Sequence, residues 1–192
     1  MTKRIPEYPV NDLIIGRWSS RAMTGETIDI NQLMSLFEAA RWAPSSYNNQ
    51  PWRFVYALRG TPMFERFLDL LVDFNKQWAE RAAALVIIIS KNDFEFNGKP
   101  SRTHAFDTGA AWQNIGLQAH AMGLVVHGME GFSYERAREL IGIPEGYTIH
   151  AMFAVGKPGK KEDLPPALQE REQPSDRKKV CAFVMQDRFN ES

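Results

Sequence analysis

The chain has 192 residues, 23 Lys+Arg against 23 Asp+Glu, and one cysteine. A hydrophobic share of 44% with 24% charged residues excludes wholesale disorder and is enough to fill a substantial core, so a single domain over 1–192 is expected. The zero net charge supplies no overall field for nucleic acid, and Arg177-Lys178-Lys179 is too short a basic block to make one. Cys181 alone excludes an internal disulfide and a CxxC zinc site and points to a reducing compartment. The N-terminus lacks the apolar core and cleavage site of a signal peptide, and the run Ala82 to Ile89 falls far short of the roughly 18–20 residues that span a bilayer. A cytoplasmic protein with no membrane partner is the expectation.

After an irregular opening, Asp29 with Gln32 has capping-box spacing, and Leu33, Leu36, Phe37 and Ala40 recur at helical intervals until Pro44. PSSYNNQPW reads as a loop, because its prolines, serines and asparagines favour local side-chain hydrogen bonds. Arg53 to Leu58 is a short strand. Met63, Phe64, Phe67, Leu68, Leu71 and Phe74 predict one amphipathic helix running on toward Ala82. Leu85 to Ile89 has the continuous branched character of a central strand covered on both faces.

KNDFEFNGKPSR is turn-rich and polar, and Asp107 to Met122 predicts a helix stopped by Gly123. A short strand follows at Val125 to His127. Ser133 caps a helix closed by Gly142 and Pro144, and Thr148 to Val155 is a further strand. From Gly156 onward the chain is too polar to build its own core and reads as an extended arm ending in a short strand at CAFVM, with Cys181 a buried small hydrophobe. Helices and strands in this order imply a layered α/β or α+β fold around one sheet.

Two segments stand out chemically. Arg17-Trp18-Ser19-Ser20-Arg21 sets two rigid guanidinium forks and two hydroxyls within five residues, which suits a phosphate or the polar edge of a planar ring. Two unrelated surface arginines would read the same way. Ala43-Pro44-Ser45-Ser46-Tyr47-Asn48-Asn49-Gln50-Pro51-Trp52 offers donors and acceptors together, as a heteroaromatic ring needs, although turns use these residues as well. His104, His120, His127 and His150 lack metal-ligand spacing and are expected to be structural or solvent-facing. Neither GxGxxG nor GxxxxGK[ST] occurs, which excludes the signatures of a Rossmann site and a P-loop. Of the five tryptophans most are expected in the core, with Trp18 or Trp112 able to line a pocket.

Taken together, RWSSR at 17–21 and APSSYNNQPW at 43–52 resemble the nitroreductase family of flavin-dependent oxidoreductases. The resemblance continues through Phe74-Asn75, DTGAAWQNIGLQAHAMGL at 107–124, Glu130-Gly131-Phe132, GKP at 156–158 and PSDRK at 174–178, and so covers nearly the whole chain. It implies an α+β fold with a mixed or antiparallel central sheet flanked by helices and an extended C-terminal arm, and a homodimer binding FMN at its interface. In that pattern Arg17, Trp18 and Ser19 lie at the phosphate and ribityl end. Arg21 approaches N1 and the C2 carbonyl, where a cation favours the reduced ring. Asn75 meets the pyrimidine edge.

Pro44, Ser45, Ser46 and Asn48 match residues that reach the flavin from the partner subunit, and Glu130 and Gly131 match positions whose backbone lies beside N5. Arg177 matches a phosphate-binding arginine with Lys178 as a helper. At the position two residues earlier, where the family often has another basic residue, this chain departs with Ser175. The resemblance implies a ping-pong oxidoreductase using NAD(P)H and passing electrons through flavin N5 to nitroaromatics, quinones or activated enones, with no catalytic side chain. Alternatives are a reductive dehalogenase or flavin-fragmenting branch of the superfamily, or a non-enzymatic protein that stores or senses FMN. A substrate-proximal lid is expected over Asn92 to Arg102.

Overall fold

The computed structural model describes residues 4–190. Helices α1 (Asp12–Gly16) and α2 (Ile30–Arg41) lead to β1 (Trp52–Leu58), then α3 (Pro62–Leu68), α4 (Asp73–Ala79) and β2 (Ala84–Lys91). The long helix α5 (His104–Ala121) precedes β3 (Val125–Met129), α6 (Tyr134–Ile141), β4 (Tyr147–Gly156) and the short α7 (Pro166–Gln169) of the C-terminal arm. The four strands pair antiparallel throughout in the order β1-β2-β4-β3, so β2 is internal as its apolar run predicts. The fold is α+β.

Period-two alternation along β2 separates two cores. Leu85, Ile87 and Ile89 face Phe64, Phe67 and Trp78 from α3 and α4, whereas Ala84, Val86 and Ile88 face Leu33 and Leu36 from α2 and Ile115 and Ala119 from α5. Each Val, Leu or Ile side chain among them, taken fully out of water, contributes about 1.5–3 kcal/mol. α2 begins where the sequence places it, with Asp29 and Gln32 forming both halves of the capping box. α6 is likewise capped by Ser133 on the amide of Arg136 and closed by left-handed Gly142.

Three expectations are corrected. The helix predicted from Met63 toward Ala82 is two helices, because the intervening backbone pairs elsewhere: the Val72 amide donates to the Gly131 carbonyl at 3.0 Å and the Ser133 amide to the Leu70 carbonyl at 2.9 Å. The C-terminal strand at CAFVM is absent: Val180–Ala182 forms one 3-10 turn, and Phe183, Val184 and Met185 are exposed. Cys181 is exposed on the same segment and not buried. Among the tryptophans, Trp52 and Trp78 are core and Trp18 and Trp112 half-buried, but Trp42 is 72% exposed.

His120 is exposed, and His104, His127 and His150 are half-buried. β4 carries an extra residue, His150, at the step between Ile88 and Ile89 of β2. This bulge accompanies a contact between His150 Nε2 and the buried Ser90 Oγ at 2.6 Å, and His104 Nδ1 lies 2.7 Å from the same oxygen. A hydroxyl has one proton, so Ser90 donates to one imidazole and accepts from the other. No helix among the described residues is long and apolar enough to cross a membrane.

Candidate functional site

Arg17 follows α1, and its stem lies against α5 where Gly116 makes room: a Cβ there would stand 3.1 Å from Arg17 Cδ. Arg4, which the sequence motifs do not single out, donates from Nη1 to the carbonyls of Ile15 and Arg17, both at 2.8 Å, and from Nε to the Ser175 carbonyl at 3.0 Å. It ties the start of the chain to the arm. Arg177 Nη1 donates to Ser175 Oγ at 2.9 Å. Arg4, Arg17 and Arg177 thus line one cleft of about 380 Å³ together with Ile14 and Gln113.

Burial first, and then the positive charges of Arg4 and Arg177, push the Arg17 pKa below its ordinary value. Arg4 is lowered by burial and by Arg177, with Asp176 opposing. Guanidiniums gathered closely enough to depress one another form a site that favours an anion. The serine at 175 is therefore accompanied by a cation from a distant part of the chain. Ser19 sits next to this cluster and accepts from Arg17 Nη1 at 3.4 Å, with half-buried Trp18 between them in sequence. Lys178 is exposed beside Arg177.

The segment from Ser20 to Thr24 is fixed by the exit of β4. The Thr24 amide donates to the Lys157 carbonyl, the Gly159 amide to the Ala22 carbonyl, and Met23 bridges Pro158. A Cβ on Gly159 would lie 2.7 Å from the Met23 backbone, so this approach needs glycine. His127 Nδ1 lies 3.3 Å from the Ser20 carbonyl and therefore carries the proton, and the imidazole packs on Trp78 with ring centres 4.6 Å apart. Burial and then the nearby Arg21 charge lower His127 to about 4, so the ring is neutral at pH 7.

Trp78 lies one turn of α4 beyond Asn75, whose Nδ2 donates to the Gly131 carbonyl at 3.1 Å. A Cβ on Gly131 would come within 2.9 Å of both Asn75 Nδ2 and Val72 Cγ2, which explains glycine there. Glu130 is exposed, and its carbonyl accepts from the Phe132 amide. Arg21, His127, Trp78, Asn75 and Gly131 thus lie along one chain of neighbours.

Pro44, Ser45, Ser46 and Asn48 lie elsewhere. The Ser46 amide donates at 3.1 Å to Oδ2 of buried Asp107 in the first turn of α5, and Thr103 Oγ1 shares that oxygen at 3.2 Å. Ser45 Oγ accepts from the Gln50 amide, and Asn49 clasps the backbone of Asp93 and Glu95. Tyr47, Asn48 and Gln50 all have positive φ, at 53°, 52° and 48°. Tyr47 is 80% exposed and meets Phe94 and Phe96 at ring distances of 5.7 and 5.6 Å. From Asp107 to Gly116, which carries Arg17, is about 14 Å along the axis of α5 at 1.5 Å per residue.

The profile of the nitroreductase family matches residues 14–73 and 60–157. The chain belongs to the nitroreductase family. Protein DrgA of Synechocystis is 35% identical over 157 residues, covering 68% of this chain and 73% of that protein. A protein of Archaeoglobus fulgidus provisionally named NADH dehydrogenase/NAD(P)H nitroreductase is 27% identical over 156 residues, with 79% and 87% covered. A crystal structure described as an oxidoreductase containing FMN superposes with a TM-score of 0.94 at 40% identity over the full length of both chains. Arg4 and Glu172 lie outside the motifs of this chain, and Asp107 lies in one without an assigned role, because each acts through a contact to a residue far away in sequence.

Proposed function

We propose that this nitroreductase is an FMN-dependent NAD(P)H oxidoreductase working as a homodimer, with all 192 residues acting as one flavin-binding unit. The observation that carries the reading is the separation of the two motif segments along α5, one anchored at Asp107 in its first turn and the other reaching it at Gly116. The FMN-containing relative and the relatives named for NADH and NAD(P)H support the cofactor and donor. When bound, FMN supplies the redox chemistry, taking two electrons from NAD(P)H and passing them to a nitroaromatic, quinone or related acceptor in alternating half-reactions.

The residues fit that cofactor. Arg17 and Arg177, with Arg4 behind them, offer an anion site to the phosphate. Arg21, whose Nε is buried without a partner, has a donor available to the pyrimidine edge. Asn75 and the Glu130-Gly131 backbone border the same side. Pro44, Ser45, Ser46 and Asn48 complete the pocket from the second subunit, whose approach would also cover Phe106, 82% exposed on α5. Hydride transfer depends on stacking and alignment, so the protein's task is to hold two rings face to face without a side-chain acid or base.

Purification tests the reading directly. The expected protein is yellow, loses its flavin absorbance with NADH or NADPH, and regains it with a quinone or nitroaromatic. Colourless protein that takes up no added FMN overturns it. Sedimentation of the flavin-loaded protein is expected to give a dimer, and a monomer holding FMN tightly would overturn the shared site.

A further inference from the structure

Glu172 lies on the C-terminal arm just after α7, and it is 8% exposed. Its Oε1 accepts three hydrogen bonds from one tripeptide: Ser20 Oγ at 2.6 Å, the Arg21 amide at 2.8 Å and the Ala22 amide at 2.9 Å. A carboxylate brought into the interior is costly unless donors compensate it, and charge-assisted bonds of these lengths are the strong kind. Two buried atoms remain without hydrogen-bond partners in this neighbourhood, Glu172 Oε2 and Arg21 Nε. This strap from the arm thus lays a carboxylate against the backbone amide of Arg21. The pKa of His127 is lowered first by burial and then by the Arg21 charge, with Glu172 opposing more weakly.

We propose that Glu172 is a positioning residue for Arg21: it fixes the Ser20–Ala22 backbone and offsets the positive potential that Arg21 presents to the pyrimidine edge of FMN. The inference rests on the FMN reading for what Arg21 faces, whereas the strap is a property of the chain alone. A hydroxyl or amide in place of Glu172 can accept from backbone amides as well. A carboxylate adds a charge, and that charge opposes the stabilisation of an anionic reduced ring by Arg21. Glu172 would thereby keep the bound flavin a better donor to its acceptor.

Two variants of the full-length protein separate the roles. Glu172→Ala removes the acceptor, and amide hydrogen exchange at Arg21 and Ala22 in FMN-free protein is expected to accelerate about tenfold or more. Glu172→Gln keeps an acceptor oxygen and removes the charge. Its amides are expected to stay protected, while the bound flavin shifts about tenfold toward the reduced form, a midpoint change of about 30 mV upward for a two-electron couple. Unchanged exchange in Glu172→Ala overturns the strap, and an unchanged or lowered midpoint in Glu172→Gln overturns the electrostatic role. Wild-type protein that takes up no FMN overturns the function and the electrostatic role with it, and the exchange measurement distinguishes that failure from failure of the strap.

Discussion

The two motif-bearing segments are built on opposite principles. The segment 17–24 is tied from several sides, by Arg4, by the exit of β4 and by Glu172, and the amides of Arg17, Arg21, Ala22 and Thr24 find acceptors within the chain. The segment 44–50 hangs from Asp107 and Asn49, holds three non-glycine residues at positive φ and exposes Tyr47 to solvent. Those ties hold the first in place as the receptor proposed for FMN. Strain and exposure in the second fit the proposed role of a surface that completes a site in a second subunit.

The largest expected effect comes from breaking the receptor. On the proposed phosphate assignment, Arg17→Ala and Arg177→Ala would each remove a charge-assisted contact worth roughly 1.5–3 kcal/mol, or about ten- to a hundredfold in the FMN dissociation constant. The double variant is expected to lose more than either. Fluorescence titration with FMN reads both, and affinities equal to wild type would remove the phosphate assignment.

That receptor was only partly legible in the sequence. Local signals were readable: Asp29 with Gln32, Ser133 with Gly142, and the unbroken apolar run of β2 each specify their own element. What escaped was set by distant pairing. The apolar spacing from Met63 to Phe74 is helical, yet Leu70 and Val72 give their backbone bonds to residues near 131–133, so the helix breaks. Arg4 and Glu172 have no motif of their own, because their importance comes from carbonyls and amides that folding brings to them. CAFVM has the composition of a strand, but no neighbouring strand receives it.

Acid probes the same tied region. His127 falls to about 4 when folded, against about 6.5 in the unfolded chain. Its stabilising contribution is complete above pH 6.5 and is lost as pH falls toward 4, because only the unfolded chain takes up the proton over that window. The loss corresponds to about 3 kcal/mol. His150, lowered by burial and then by His104, acts in the same direction. Urea unfolding at pH 7.5, 5.5 and 4 is expected to show this decline and a clearly shallower one in His127→Gln. Equal slopes in the two proteins would contradict a buried neutral His127.

The second segment is tested at its anchor. Asp107→Ala leaves the Ser46 amide and the Thr103 hydroxyl without their acceptor, at a cost of about 1–3 kcal/mol. Amide exchange at Ser46 is expected to accelerate, and FMN affinity to fall together with dimer formation even though Arg17 and Arg177 are untouched. Normal FMN affinity in a variant with a freed Ser46 amide would show that the loop does not complete the pocket.

The smallest effect runs in the opposite direction. Gln50 has φ 48°, a conformation that costs a side-chain-bearing residue roughly 1–2 kcal/mol and glycine almost nothing. Its amide bond to Ser45 Oγ survives in Gln50→Gly, and only exposed contacts from its side chain to Asn48 are lost. Relief of strain is partly offset by the greater freedom of glycine in the unfolded chain, so a net gain of up to about 1 kcal/mol is expected in unfolding experiments. If the strain serves to present Ser45 to Asn48 to a second subunit, the same variant loosens that presentation and weakens FMN binding while the chain itself becomes more stable. A fall in both would place Gln50 among the ordinary structural residues, because relief of strain is expected to raise stability while binding falls.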